Sequence, residues 1–287
     1  MLDKIFLLKI TYFLDLIRFF NPIGFMLLMW PCWFALTLVP TNQSNLVIWY
    51  LLFFIGAFLM RSAGCIINDL VDIEIDKKIQ RTNNRSLTSK KISILEAIIF
   101  LIILLALGFI ILIQFNFKTI LAGIISLPLI ILYPYMKRVT YFPQLFLGIV
   151  FSWGVILVSI QFTEFFTLDF IILYIGCIFW TLAYDTIYAY QDKNDDEINN
   201  IKSTAVLFGN KGRIFVKFFY LIFFLIIGYI SWNNNKNVYS LSVIIMFIFG
   251  MNFLLNKWEP KLKKSANFYF KFNNVIGFCC FLFLFVI

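Results

Sequence analysis

The sequence predicts an all-α, polytopic membrane protein with about nine transmembrane helices. Hydrophobic residues make up 62% of its 287 positions, and charged residues make up only 14%. The apolar residues also occur in uninterrupted runs that are long enough to cross a bilayer. A soluble domain carries about a quarter charged residues, so this composition excludes a soluble globular protein.

Runs of about 17 to 25 apolar residues mark the expected spans in chain order. The first five are Leu16–Val39, Leu46–Ile67, Ile94–Phe115, Thr119–Tyr135 and Phe142–Phe162. The other four are Leu168–Tyr188, Ile214–Ser231, Val238–Asn256 and Phe268–Ile287. Ser93-Ile94-Leu95-Glu96 has the form of a capping box, which predicts that the third helix begins there. We expect residues 1–287 to form a single transmembrane domain.

Two acidic clusters lie where long apolar segments end, in a chain with only 15 aspartates and glutamates. They occupy residues 68–76 and 185–196, and their similar positions in the second and sixth spans suggest an internal pseudo-repeat. An aspartate near the bilayer centre costs about 3 kcal/mol on insertion scales, so such clusters need a cation, a watery cavity or partner charges. The two clusters are therefore the candidate functional site.

In the first cluster, helical register gathers three carboxylates on one face. At about 100° per residue, Asp72 and Asp76 lie within about 60° of Asp69 around the helix axis, whereas Glu74 points away. Like charges at this spacing repel one another unless a cation lies between them. We therefore expect this face to bind a metal ion.

In the second cluster, the same argument assumes a helix that continues from Asp185 to Asp196. Asp192 and Asp196 then return to within about 20° of Asp185, and Asp195 lies about 80° from that line. Two facing lines of aspartate, with no histidine or cysteine nearby, favour Mg²⁺ over zinc. Because Mg²⁺ in proteins binds carboxylates together with phosphate oxygens of a substrate, the expected ligand is a diphosphate.

The basic residues predict the orientation of the chain. Of 24 lysines and arginines, only Lys118 and Lys236 lie in the connections after the first, third, fifth and seventh spans. Basic residues concentrate on the cytoplasmic side of membrane proteins, so we expect the N-terminus and both acidic clusters there. The expected location is the bacterial inner membrane, or the mitochondrial inner membrane in a eukaryote. Orientation and anionic lipid headgroups account for the net charge of +9 without nucleic acid, and no obligate protein partner is evident.

Basic residues in the connections fit a diphosphate ligand. Those on the same expected side as the aspartates are Arg81, Arg85, Lys137, Arg138 and Lys202. There they would bind phosphate oxygens that the metal leaves free, although each also fits a role in topology or in contact with lipid headgroups. The chain has no histidine and no G-x-x-x-x-G-K motif, which excludes histidine-based catalysis and a P-loop.

The sequence around both clusters resembles the UbiA superfamily of intramembrane prenyltransferases. Residues 68–76 resemble its first motif, NDxxDxxxD, and residues 184–196 resemble its second, with DxxxD at Asp192 and Asp196. Lys202-Ser203-Thr204-Ala205 resembles its KSTA segment. The segments similar to the branch that acts on 4-hydroxybenzoate are Tyr133–Arg138, Pro143–Gly148 and Arg18 with Pro22 and Gly24.

The resemblance implies a helical bundle around a central cavity that opens to the cytoplasmic side. It implies Mg²⁺-dependent transfer of a polyprenyl group from polyprenyl diphosphate to the ring carbon ortho to the hydroxyl of 4-hydroxybenzoate, with release of diphosphate, in ubiquinone biosynthesis. Both the tail and the product would reside in the lipid bilayer. The implied catalytic residues are Asp72, Asp76, Asp192 and Asp196, which with Asn68 and Asp69 are also the implied metal ligands. The implied substrate-binding residues are Arg61, Asn68, Arg81, Arg85, Lys137, Arg138, Tyr188 and Lys202.

Two finer roles are hypotheses within that set. Asp192 is the hypothesis for the base that removes the ring proton. Arg138 or Arg61 is the hypothesis for the group that binds the benzoate carboxylate, since guanidinium matches carboxylate geometry. Three positions depart from the family pattern: Asn21 replaces a basic residue, Ser86 a proline and Asn200 a glycine.

Two other functions stay open at this point. A related prenyltransferase that acts on haem, a naphthoate or homogentisate would keep the aspartate motifs and change the acceptor. A cation-coupled transporter would spread its carboxylates along the depth of the membrane. Here the carboxylates gather where helices end, which favours the enzyme.

Overall fold

The computed structural model describes residues 2–40, 45–163, 167–235 and 238–286, which are mainly helical and contain no strand. Lys236 and Ile287 lie outside these ranges. The first eight helices are α1 (Leu2–Leu16), α2 (Ile23–Leu36), α3 (Leu46–Asp76), α4 (Ile94–Leu112), α5 (Phe117–Leu132), α6 (Met136–Val139), α7 (Pro143–Phe151) and α8 (Trp153–Phe162). The others are α9 (Leu168–Ala189), α10 (Lys193–Ile198), α11 (Thr204–Phe208), α12 (Gly212–Asn235), α13 (Val238–Asn256) and α14 (Lys263–Val286).

Within the described ranges, eight segments are long and apolar enough to cross a membrane, which confirms the predicted fold class. They are Leu46–Asp76, Ile94–Leu112, Phe117–Val139, Pro143–Phe162, Leu168–Ala189, Thr204–Asn234, Tyr239–Asn256 and Lys263–Val286. The predicted first span, Leu16–Val39, is wrong in its bounds, because Arg18 has a φ of +60° and Pro22 begins a new helix. The apolar helix α2 is therefore shorter than the other spans.

Two local features follow directly from the sequence. Glu96 N donates to Ser93 Oγ at 3.3 Å and Ser93 N donates to Glu96 Oε2 at 2.9 Å, so the predicted capping box at the start of α4 is confirmed. Gly148 lets α7 approach α9 closely, because a Cβ there would lie 3.1 Å from the carbonyl oxygen of Ile178. The position of α9, which carries Asp185 and leads into the rest of the second acidic cluster, is fixed partly by this contact.

Helix α9 lies at the centre of the bundle and is joined to two neighbours by a buried polar network. Asn273 Oδ1 on α14 accepts hydrogen bonds from Trp180 Nε1 on α9 at 2.8 Å and from the Tyr220 hydroxyl on α12 at 2.7 Å. Its Nδ2 donates to the carbonyl oxygen of Tyr269 at 2.9 Å. One side chain therefore connects three spans in a region where water does not compete.

We expect Asn273→Leu to lower the thermal stability of the detergent-solubilised protein. The substitution leaves the Trp180 and Tyr220 donors buried without a partner, at a cost of about 1–3 kcal/mol each. Thermal unfolding followed by intrinsic fluorescence measures the effect. Asn252→Leu is the matched control, because Asn252 lies exposed on α13. Equal melting temperatures for the two variants would contradict a stabilising role for the network.

Candidate active site

The acidic end of α3 keeps its helical register, as the sequence predicts. Asp69 and Asp72 are each 1% exposed and Asp76 is 3% exposed, whereas the Glu74 side chain is 80% exposed. The helix continues to Asp76, well past the predicted end of the span at Ile67, and its buried carboxylates share one face. Buried carboxylates require compensating charge, and the structure supplies it from three separate segments.

Two arginines compensate Asp69 and Asp76. Arg18 Nη2 contacts both oxygens of Asp69, at 2.8 and 2.7 Å. Arg85 Nη1 donates to Asp69 Oδ1 at 2.9 Å and to Asp76 Oδ2 at 2.7 Å. The loop after α3 is thereby folded back against the helix end. Ser86, one of the departures from the family pattern, supports this loop because its Oγ donates to Asp15 Oδ2 at 2.7 Å.

Asp72 is compensated from the segment after α5. Lys137 Nζ forms an ion pair with Asp72 Oδ2, and Arg138 Nη2 lies 3.9 Å from Asp72 Oδ1. Arg138 Nη2 donates instead to the carbonyl oxygen of Val71 at 2.9 Å. Asp72 Oδ1 is buried without any hydrogen-bond partner in the described part of the chain. This carboxylate therefore keeps one oxygen that is free to bind a cation.

The second acidic cluster does not form one continuous helix, so the predicted line from Asp185 to Asp196 is wrong. Helix α9 ends at Ala189 and α10 begins at Lys193, with a turn between them. Asp196 is still buried, and burial together with the charge of Asp192 raises its pKa to about 7. The turn changes the angular positions of the residues that follow it, so helical periodicity counted from Asp185 does not identify Asp196. Its burial distinguishes Asp196 from its more exposed neighbours.

The other acidic residues of α10 pair with lysines. Glu197 is exposed and pairs with Lys193 at 3.4 Å. Asp195 pairs with Lys263 at the start of α14, at 3.7 Å. The second cluster therefore presents Asp192 and Asp196 as its main candidates.

Arg81 joins the two motifs. Its Nε donates to Asp192 Oδ1 at 2.8 Å, its Nη2 donates to Asp192 Oδ2, and its Nη1 donates to the Tyr188 hydroxyl at 2.8 Å. The loop that follows the first acidic motif therefore contacts the second motif. This contact brings the ends of α3 and α9 to the same end of the bundle.

The segments that carried the resemblance contact one another beneath this site. Lys202 N donates to the carbonyl oxygen of Lys137 at 2.9 Å, and Thr204 N donates to Gln144 Oε1 at 3.1 Å. Lys202 Nζ donates to the carbonyl oxygen of Val139 at 3.0 Å and does not contact a carboxylate. Asn200 has a φ of +55°, a conformation that glycine adopts most readily, so this departure from the family pattern is explained by backbone geometry.

A cavity of about 840 Å³ extends from the acidic end into the bundle. Of the residues predicted for the site, those lining the cavity are Arg61, Asn68, Asp69, Arg81, Arg85 and Tyr188. Those that do not line it are Asp72, Asp76, Asp192, Asp196, Lys137, Arg138 and Lys202. Among these, Asp72, Asp76 and Asp192 each form an ion pair with a lysine or arginine.

The cavity has a polar end and an apolar end. Beyond the acidic motifs it continues between apolar side chains such as Leu105, Leu112, Phe115 and Leu157. This shape suits a ligand with a charged head and a long hydrocarbon tail.

Arg61 lies inside the cavity and has an unsatisfied donor. Its Nε is buried with no hydrogen-bond partner in the described ranges, and its guanidinium lies 5.6 Å from the centre of the Phe151 ring. Gly24 makes room for it, since a Cβ there would lie 2.6 Å from Arg61 Nε. A buried guanidinium without a carboxylate partner is suited to an anionic ligand.

Sequence reasoning missed several polar residues that line the cavity. They are Asn84, Tyr133, Tyr184 and Gln191. Asp185, which register had placed in line with the DxxxD pair, also lines the cavity. Gln191 Nε2 is buried without a hydrogen-bond partner among the described residues. In the sequence, the only sign that Gln191 belongs to the site is its position next to Asp192. Hydropathy alone does not distinguish it from other polar residues of a loop.

The structure does not gather three or more histidine, cysteine, aspartate or glutamate side chains into a metal-binding group within the described ranges. The donors near the two motifs are nevertheless carboxylate and amide oxygens, which Mg²⁺ prefers. The unpartnered Oδ1 of Asp72 fits such an ion. The metal-ligand roles of Asn68, Asp69, Asp72, Asp76, Asp192 and Asp196 remain a prediction.

Comparison with known proteins adds independent information. Residues 28–275 match the family described as "UbiA prenyltransferase family". A 4-hydroxybenzoate octaprenyltransferase of Blochmanniella pennsylvanica is 37% identical over 98% of both chains. A 4-hydroxybenzoate octaprenyltransferase of Marinomonas sp. is 43% identical over 70% of this chain and 71% of its own. Sequence similarity therefore covers both acidic motifs and nearly all of the spans.

Solved structures show the same fold. A UbiA homologue from Archaeoglobus fulgidus bound to GPP and Mg²⁺ aligns with a TM-score of 0.71 at 19% identity, over 96% of this chain and 98% of that one. A UbiA homologue from Aeropyrum pernix K1 aligns with a TM-score of 0.70 at 20% identity, over 90% and 96% of the two chains. At these identities the structures establish the shared helical architecture.

Proposed function

The chain belongs to the UbiA prenyltransferase family, and from that membership we propose that it transfers a polyprenyl group to 4-hydroxybenzoate in ubiquinone biosynthesis. The polyprenyl diphosphate would lose its diphosphate, and the ring carbon ortho to the hydroxyl would bond to the first carbon of the tail. The observation that carries the proposal is the single cavity that joins an arginine-rich acidic end to an apolar interior. Full-length relatives that bear the name of this activity support the choice of acceptor.

The polar end of the cavity is suited to hold the diphosphate. Arg81 and Arg85 both line the cavity and are fixed by carboxylates, so their guanidinium groups are ordered before a substrate arrives. Ordered guanidinium groups bind phosphate oxygens with little further loss of side-chain freedom. These residues would therefore orient the diphosphate and stabilise it as it departs.

The aspartates are suited to hold Mg²⁺ beside that diphosphate. The residues that would hold it are Asn68, Asp69, Asp72, Asp76, Asp192 and Asp196, as the family motifs imply. When bound, Mg²⁺ neutralises charge on the diphosphate and makes it a better leaving group. The UbiA homologue solved with GPP and Mg²⁺ supports this part of the proposal.

Arg61 is the better candidate for the group that binds the benzoate carboxylate. It lies in the cavity with an unsatisfied donor, whereas the Arg138 side chain is 48% exposed and donates to the backbone of α3. A carboxylate bound at Arg61 would hold the aromatic ring inside the cavity, where apolar side chains exclude water from the reacting carbon.

The ring proton needs an acceptor, and the structure offers a different carboxylate from the one that the sequence suggested. Both oxygens of Asp192 accept hydrogen bonds from Arg81, and Asp192 does not line the cavity. Asp185 does line the cavity, near Arg61, and makes no hydrogen bond or ion pair within the described ranges. We therefore assign the proton acceptor to Asp185 or to the departing diphosphate.

The proposed location is a bacterial inner membrane, or the mitochondrial inner membrane in a eukaryote, with the acidic end facing the cytoplasm or matrix. The loops that meet at this end contain most of the lysines and arginines of the chain. Such enrichment is typical of the cytoplasmic side.

Mass spectrometry of the product tests the function. We expect the purified protein, given Mg²⁺ and prenyl diphosphates of graded length, to form a ring-prenylated 4-hydroxybenzoate with its carboxylate intact. Parallel reactions with a naphthoate, homogentisate and haem identify the acceptor. Product from one of these acceptors and none from 4-hydroxybenzoate would assign the protein to another branch of the family. Absence of any prenylated product would reject the enzymatic proposal.

A further inference from the structure

Both oxygens of the buried Asp69 carboxylate already contact arginine. Its Oδ1 accepts from Arg18 Nη2 at 2.8 Å and from Arg85 Nη1 at 2.9 Å, and its Oδ2 lies 2.7 Å from Arg18 Nη2. The side chain is only 1% exposed. A carboxylate in this state has little remaining capacity for a further ligand.

Asp72, one turn away on the same face, provides the contrast. Its Oδ2 pairs with Lys137, and its Oδ1 is buried without a hydrogen-bond partner among the described residues. The two neighbouring aspartates therefore differ in the property that matters for binding a metal ion. Asp72 Oδ1 accepts no hydrogen bond among the described residues, whereas both oxygens of Asp69 contact arginine.

The two arginines held by Asp69 still have donors to offer. An arginine has five N–H donors, and Arg85 uses only Nη1 for Asp69 and Asp76. Its Nε and Nη2 make no hydrogen bond in the described part of the chain. Arg18 has its Nη groups engaged by Asp69 and by backbone carbonyls of residues 15 and 16, and its Nε is left over. Both arginines line the cavity.

The backbone of Arg18 adds an independent observation. Its φ of +60° is uncommon for a residue with a side chain, and such a conformation persists only where surrounding contacts hold it. Its contacts with Asp69 are among those that hold it. The chain thus bends sharply between α1 and α2 at the residue that turns its guanidinium toward Asp69.

We propose that Asp69 is a positioning residue that fixes Arg18 and Arg85 toward the diphosphate, and that it does not bind the metal ion. This inference rests on the proposed function and changes one of the roles that the first motif implies. Asp69 acts through the arginines: it orients their free donors toward the cavity and compensates their charge before the substrate binds. The metal ion is left to the other oxygen donors of the two motifs.

Asp69→Asn separates positioning from metal binding. The full-length variant in detergent is tested for inorganic diphosphate binding at saturating Mg²⁺, and for Mn²⁺ binding without diphosphate by electron paramagnetic resonance. We expect diphosphate affinity to fall about tenfold, the effect of losing one charge-assisted hydrogen bond, and Mn²⁺ affinity to change less than twofold. Glu74→Gln is the matched control on the exposed face of α3 and should alter neither.

The opposite pattern overturns the proposal. If Asp69→Asn weakens Mn²⁺ binding as much as or more than diphosphate binding, Asp69 is a metal ligand. Unchanged diphosphate binding overturns it as well. These measurements need no acceptor, so a wild-type protein that binds diphosphate but forms no product from 4-hydroxybenzoate would reject the proposed function and leave the assignment of Asp69 intact.

A second set of variants keeps the test decisive if Asp69→Asn does not fold. Arg18→Gln and Arg85→Gln should each weaken diphosphate binding about tenfold and spare Mn²⁺ binding, because each removes a positioned donor. If neither changes diphosphate binding, the proposal fails. Where all variants fold, Asp69→Asn should have a smaller effect on diphosphate affinity in the Arg85→Gln background, since residues that act through one another are not additive. Full additivity would contradict action through Arg85.

Discussion

Replacing Asp72 by Asn is expected to reduce prenyl transfer by about 100- to 1,000-fold while the protein still inserts and folds, in the range seen when a preorganised electrostatic contact is removed from an active site. Asp72 is the buried carboxylate whose Oδ1 has no hydrogen-bond partner within the described ranges. Asparagine keeps the shape of the side chain and removes its charge. The variant would retain the packing of α3 and lose the oxygen best suited to Mg²⁺. Steady-state turnover at saturating Mg²⁺ measures the effect.

Lys137 forms an ion pair with Asp72 and loses that partner in the Asp72→Asn variant. The stability of the variant must therefore be measured beside its turnover. Asp72→Asn/Lys137→Met removes both charges and should remain inactive while recovering any lost stability. Near-normal turnover in either variant would reject the assignment of Asp72 to the metal site.

Arg61→Gln is expected to raise KM for 4-hydroxybenzoate by about 10- to 100-fold and to change KM for the prenyl diphosphate much less. The range corresponds to the loss of a hydrogen bond to a charged group, about 1.5–3 kcal/mol. We expect this selectivity because Arg61 lines the cavity and its Nε has no hydrogen-bond partner among the described residues. No carboxylate in the described ranges forms an ion pair with it. Initial rates with each substrate varied in turn provide the measurement.

Arg138→Gln is the matched comparison, because the sequence alone did not choose between the two arginines. Arg138 is half exposed and donates to the backbone at Val71, so its loss should change KM for 4-hydroxybenzoate less than the loss of Arg61. The reverse order of effects would return the carboxylate to Arg138. A larger effect of Arg61→Gln on the prenyl diphosphate would place Arg61 at the phosphate end.

Hydropathy predicted the membrane segments well because the bilayer imposes one length on all of them. It failed where polar residues interrupt a run. Arg18 and Pro22 separate α1 from α2, and the buried aspartates extend α3 beyond the predicted end at Ile67. The carboxylates lower the local hydropathy, so a span predicted from hydropathy ends at Ile67 although the helix continues to Asp76. The suggested pseudo-repeat between the two acidic clusters remains a prediction.

Helical periodicity worked for the first acidic cluster and not for the second. Residues 68–76 stay in one helix, so angular spacing correctly separates Asp69, Asp72 and Asp76 from Glu74. Residues 190–192 form a turn, and beyond it the register restarts. The pairing of Arg81 with Asp192 depends on a contact between residues distant in sequence, which no local pattern encodes. For the same reason the cavity residues Tyr133 and Gln191 were found only in the structure.

The unbroken length of α3 fixes the depth at which the reaction takes place. Its 31 residues extend about 46 Å, whereas the hydrocarbon core of a bilayer is about 30 Å thick. We therefore expect the acidic turns near Asp76 to lie at headgroup level, on the same rigid element that crosses the hydrocarbon. The carbon that forms the new bond then reacts at one depth, whatever the length of the tail behind it. The apolar part of the cavity and the surrounding lipid would then select among tails of different length. The acidic site would bind the diphosphate of each in the same way.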